Sequence, residues 1–134
     1  MARGSVKNRL TTHIPRINAE KDMRAKQAVR MSTVGINARA KIAMAEPKSG
    51  RPRADGHIAS APGEAPAIDT GLLINSLQES YEGDFTGYAY TIAEYAPPLE
   101  FGSADGKLAA RPFYRPAAQA ERSDFVRRMK DIYG

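Results

Sequence analysis

Residues 18–46 read NAEKDMRAKQAVRMSTVGINARAKIAMAE, and the period of this stretch decides the fold class. Val29, Ile36, Ala40 and Ala43 recur at helical spacing, with Ala25 and Ser32 between them. Met31, Val34, Ala38 and Ile42 form a second apolar stripe, and Lys26, Arg30, Asn37 and Lys41 make the polar face. Residues three and four apart share a helix face, so the pattern predicts one long helix over 14–46. Asn18 is the expected N-cap, with Glu20 and Asp22 in the first turn, where carboxylates suit the positive helix end. Pro47 ends the helix, because the residue before a proline is pushed out of the helical region. Two stripes imply two neighbours. Gly35 costs about 1 kcal/mol relative to alanine in a helix interior, which implies that something approaches the backbone closely there.

On the N-terminal side, residues 1–13 read as a polar, basic arm without a clear period. They lead into no apolar segment, so a secretory leader is not expected. On the C-terminal side, residues 47–68 read as an extended loop. Eight of the 26 residues from 46 to 71 are Gly or Pro, too many for either regular element. A loop of this length is usually functional or disordered.

Residues 69–133 carry the rest of the fold. Asp69 or Thr70 is the expected cap of a short helical turn through Leu72-Leu73-Ile74. Strands are predicted over 77–82 and 86–94, joined at Gly83-Asp84. In the second strand Tyr88, Tyr90 and Ile92 share one face, giving the hairpin an aromatic side. Residues 95–102 break the sheet pattern, and 103–110 form a polar loop. A final helix from Arg111 to 133 is marked by Phe125, Met129 and Ile132. Phe113 and Phe125 are expected to bury against Tyr88, Tyr90 or Ile92. The fold class is therefore α+β: a long N-terminal helix and a C-terminal helix packed on a small antiparallel sheet, in one domain spanning 1–134.

The chain has 134 residues and no cysteine, which leaves room for one core and excludes disulfides, thiol nucleophiles and zinc ribbons. No apolar run is long enough to span a membrane. Net charge is +5, but residues 1–54 carry 13 Lys/Arg against 3 acids and residues 55–134 carry 7 against 12, so the halves are +10 and −5. All ten Phe and Tyr follow residue 80, which puts the aromatic core in the acidic half. Such polarity reads as a footprint for nucleic acid, as a basic half of one copy facing the acidic half of the next, or as a solvated basic helix. The candidate interface residues are Arg3, Lys7, Arg9, Lys26, Arg30, Val34, Lys41, Arg51 and Arg53.

Asp69-Thr70-Gly71 matches the signature of aspartic proteases, in which two carboxylates share a proton. The bulky Leu72, the basic helix and the lack of a later apolar-apolar-Gly strand argue against that reading. His13 and His57 are isolated, so no metal, cofactor or catalytic residue is assigned. The basic helix lacks interleaved aromatics, leaving phosphate contact without base stacking.

Three segments together are informative: Ile68-Asp69-Thr70-Gly71-Leu72-Leu73 with Ser76-Leu77, Tyr95-Ala96-Pro97-Pro98-Leu99-Glu100-Phe101-Gly102, and Arg111-Pro112-Phe113-Tyr114-Arg115-Pro116-Ala117. Their order and spacing resemble the small tail-component (neck or tail-completion) proteins of long-tailed double-stranded DNA bacteriophages. The likeness covers about residues 15–133. Leu72, Ser103 and Tyr114 depart from the residues usual in that family. The resemblance implies a non-enzymatic virion protein at the head–tail junction, serving as completion, neck or terminator component, that assembles in the host cytoplasm. It implies a homo-oligomeric ring, sixfold by the family's habit, that meets head-closure, tail-tube or neck proteins, with at most non-specific contact to packaged DNA. Asp69, Thr70, Gly71, Leu73, Tyr95, Ala96, Glu100, Phe101, Gly102, Arg111, Pro112, Phe113 and Pro116 then have structural roles. Glu100, flanked by two apolar residues, reads either as a half-buried acid paired with an arginine or as a surface acid in a turn. The alternatives are a basic nucleic-acid-binding protein and a retroviral-type protease using Asp69.

Overall fold

In the computed structural model the backbone is described for residues 2–134 and side chains from Arg16 onward. The first element, α1 (Ala2–Ala45), is one helix of 44 residues. It begins well before residue 14, so the expected arm and the expected cap at Asn18 are both replaced by continuous helix. Once a helix is nucleated, each further residue adds a hydrogen bond, and Ala19, Glu20 and Lys21 after Asn18 are good helix formers. Arg3, Lys7 and Arg9 lie outside the residues whose side chains are described.

One face of α1 is buried: Ala25, Ala28, Val29, Ser32, Thr33, Asn37, Ala40 and Met44. Asn37, read as part of the polar face, belongs to this face and is only 2% exposed. Its amide is satisfied on both sides. Nδ2 donates to the Gln78 carbonyl at 2.9 Å, and Oδ1 accepts from the Tyr114 hydroxyl at 2.8 Å. A buried amide left unpaired is costly, so these bonds tie α1 to the sheet and to the last helix in one register.

The short α2 (Leu72–Asn75) leads into β1 (Gln78–Glu82), which pairs antiparallel with β2 (Thr86–Tyr90) in the register Gln78↔Tyr90, Ser80↔Tyr88 and Glu82↔Thr86. Gly83 takes the turn at φ 66°, a left-handed conformation that favours glycine. The sheet lies on α1 through Gly87, where any side chain would collide with Thr33. The small-residue face of β2 thus faces the helix, and Tyr88 points outward, half exposed, its hydroxyl on Glu82. Phe113 is buried as expected and lines one cleft with Tyr90, whereas Phe125 is only partly buried and Tyr88 and Ile92 stay exposed. A helix approaches a sheet most closely over glycine and alanine, not over a row of tyrosines. β2 also ends at Tyr90 instead of Glu94. The Thr91 hydroxyl accepts the Ala93 N–H at 3.1 Å and turns the chain out of the ladder.

Residues 95–102, read only as a break, contain α3 (Ala96–Phe101). Prolines fit the first turn of a helix, whose N–H groups have no intrahelical acceptor. The last helix is α4 (Tyr114–Tyr133), packed along α1. Ala40, Met44, Leu77, Ala96, Phe113 and Ala117 form the core, with Ile36, Leu73, Ile74 and Leu99 around it. The architecture is α+β, with two long helices and a small antiparallel sheet. Farther along α4, Glu121 is buried against α1. Its carboxylate accepts from Arg39 Nε at 2.8 Å and Arg128 Nη1 at 2.7 Å, and Arg39 also reaches Asp124 at 2.7 Å. No helix of the described residues is long and apolar enough to cross a membrane.

Candidate functional site

The three motif segments are far apart in sequence, but each contributes residues to one cavity of about 450 Å³. Ile68 to Ile74 supply one wall, Tyr95 and Leu99 a second, and Arg111 a third, with Arg53, His57 and Ser60 from the 47–71 loop at the rim. The lining is mostly aliphatic.

That loop has its own hydrogen-bonded structure. The Gly50 N–H donates to the Ala59 carbonyl, the Ala59 N–H to the Arg51 carbonyl and the Arg53 N–H to the His57 carbonyl, and Pro52 bridges to Ile58. Glu64 gathers the hydroxyl and N–H of Ser49 and the N–H of Ala61. The Ser49 hydroxyl, followed by the two amides, holds the Glu64 carboxyl below its ordinary range. An expected structureless loop is therefore a folded flap.

Asp69 does not cap α2. Gly71 sits at the N-cap position with φ 81°, and only a long contact of 3.4 Å joins the Leu72 N–H to Thr70 Oγ1. The Asp69 carboxylate is instead held bidentate by Arg53, at 2.9 Å on each oxygen, and the same guanidinium holds Asp55. The Arg53 hydrogen bonds keep Asp69 below its ordinary pKa, and the His57 amide, then Arg53, do the same for Asp55. Both carboxylates thus face the one Arg53 guanidinium. A loop arginine 16 residues away carries no periodic signal, so this pair was not legible.

Arg111 fastens the flap to α3. Its N–H meets the Leu99 carbonyl at 2.6 Å, Nε the Ser60 carbonyl at 3.2 Å and Nη1 the Ala109 carbonyl at 3.0 Å. Glu100 is not paired with an arginine. Its Oε1 accepts the Tyr114 N–H at 2.7 Å, supplying the start of α4 with a cap from a different element. Ala96 and Phe113 are buried in the core, and Leu73 packs against it. Gly102 ends α3 at φ 84°, close to the Leu108 carbonyl, and Pro112 and Pro116 flank Phe113 on a separate cleft. Tyr95 and Phe101 are exposed, Phe101 by 77%.

The candidate interface residues divide into two groups. Lys26 pairs with Asp84 at 3.2 Å, Arg30 stacks 4.2 Å above the Tyr81 ring, and Arg53 is saturated as described. Val34, Lys41 and Arg51 are exposed. Among the described residues no group of three potential metal ligands occurs. What the arrangement offers chemically is a largely apolar cavity with Arg53 at its rim paired to Asp55 and Asp69. No protein-family model, curated protein or solved structure matches this chain.

Proposed function

We propose that this chain is a non-catalytic structural subunit that joins copies of itself into a ring at the head–tail junction of a long-tailed bacteriophage. The observation that carries the reading is the second apolar face of α1. Met23, Met31, Val34 and Ile42 are each at least half exposed, on the side of the helix turned away from the core. Large apolar residues repeatedly exposed along one helix face mark a surface that another molecule covers. The likeness of the three motif segments to tail-component proteins supports the location. Their convergence on one scaffold supports structural roles for Asp69, Glu100 and Arg111. The use of Lys26, Arg30, Arg39 and Arg53 in contacts within the subunit favours this reading over a nucleic-acid-binding surface, because cations already paired release fewer counterions on binding DNA.

The test is made on particles. A phage lacking this chain is expected to accumulate unjoined heads and tails, and supplying the intact chain restores joined particles that contain it. Joined, infectious particles made without the chain would overturn the proposal.

A further inference from the structure

Two exposed apolar surfaces of this subunit carry opposite charge. The first is the outer face of α1, where Met23, Met31, Val34 and Ile42 fall within about 100° of one another and span about 28 Å. The exposed Arg24 and Lys41 flank it, beside Arg30, which lies over the Tyr81 ring. The second lies on β2, the segment after it and α3, where Tyr88 is 49%, Ile92 75% and Phe101 77% exposed. Residues 78–101 contain five carboxylates and no Lys or Arg. Beside Phe101 a cleft of about 280 Å³ opens between β2, α3 and the start of α4. Glu100 lines it, and its Oε2 is buried without a hydrogen-bond partner. Among the described residues that oxygen has no donor.

We infer that the cleft beside Phe101 in one copy receives the Met31–Val34–Ile42 stripe of the next, a joint that rests on the reading of the chain as an assembling subunit. The occupant is a second copy because the stripe is apolar and basic while the cleft is apolar and acidic. Two α1 stripes cannot pair symmetrically without setting Arg24, Arg30 and Lys41 of one copy against those of the other. Different patches meeting at every joint make a head-to-tail contact, which can repeat and close. The charges set register and encounter rate, and the apolar residues supply most of the affinity.

The test uses Val34→Asp and Phe101→Asp in the full chain. Both positions are exposed, so circular dichroism and melting are expected to match the parent. In sedimentation at high protein concentration the parent should form species larger than a dimer, and each variant alone should remain a monomer. An equimolar mixture should give a 1:1 dimer and nothing larger, because one intact stripe and one intact cleft remain. A parent that stays monomeric up to millimolar concentration, or a Phe101→Asp variant that associates like the parent, would overturn the joint. If the chain oligomerises in this pattern but is missing from particles, the junction role fails and the joint stands. If both variants enter particles at the parent's level, the joint fails and the role stands.

Discussion

The carboxylate of Glu121 fills the space beside Gly35: a Cβ at Gly35 would stand 2.6 Å from Oε2 and 2.7 Å from Cδ. The glycine that looked out of place in the helix is therefore where α4 presses its buried anion against α1. Alanine at position 35 would gain about 1 kcal/mol in helix propensity. It would also displace a carboxylate that two arginines hold in place. Gly35→Ala is expected to lower stability by about 1–3 kcal/mol, the usual cost of overpacking. In a Glu121→Ala background the same substitution should stabilise instead. A double-mutant cycle by chemical denaturation checks the reversal of sign.

Acid should loosen the fold over a defined range. Burial pushes the Glu121 carboxyl up, but the hydrogen bonds and charges of Arg39 and Arg128 outweigh it and leave the group below its ordinary value of 4.5. Glu64 is also held below 4.5, and Asp55 and Asp69 below 3.8. A carboxyl with a lowered folded pKa stabilises the fold above the unfolded value, and that contribution is lost as pH falls through the folded one. Melting temperature should be level with respect to these groups above about pH 5.5 and fall below 4.5. Glu64→Gln should flatten part of that limb. Melting curves that rise between pH 4.5 and 3 would contradict the assignment.

The two phenylalanines of the C-terminal half are not equivalent. Phe113 is 2% exposed and central to the core, so Phe113→Ala should cost about 3–5 kcal/mol. Phe125 lines an open cleft beside Val29 and Phe85 and is only partly buried, so Phe125→Ala should cost roughly half as much. Equal losses in urea titrations would show that the cleft is closed in solution.

Asp69→Asn removes the charge that Arg53 grips but leaves one oxygen to accept. Both residues are about half exposed, so the melt should shift by no more than a few degrees. The variant also checks the protease alternative. A peptidase activity present in the parent and lost in Asp69→Asn would show that this carboxylate does chemistry.

Periodic features of the fold could be read in advance, and contacts between distant segments could not. The stripes of α1, the glycine kept at 35, the turn at Gly83 and the helix ending at Tyr133 each leave a local pattern. Which face of β2 meets α1 is not local. It depends on Gly87 meeting Thr33, a residue more than fifty positions earlier. Asn37 looked polar and solvated because a helix position says nothing of the carbonyl and phenol that meet it. Of the site, the three segments were visible as segments, but their assembly around one cavity, the Glu100 cap on α4 and the Arg53 grip on Asp69 depend on loops without a period. Two prolines in succession hid α3, since proline signals a break in an element and also the first turn of a new one.

The hydrogen bond from Tyr114 to Asn37 gives the protein an internal optical reporter. The chain has six tyrosines and no tryptophan, so phenols dominate its near-ultraviolet absorbance. Burial, and then the carboxylates of Glu79 and Glu100, push the Tyr114 phenol far above its ordinary value of 10.0. A raised folded pKa favours the neutral phenol, so the stability it contributes is intact below pH 10 and drains away as alkali is added. The Tyr114 phenol should therefore ionise only as the helices part, which makes its ultraviolet phenolate band a measure of an opened core.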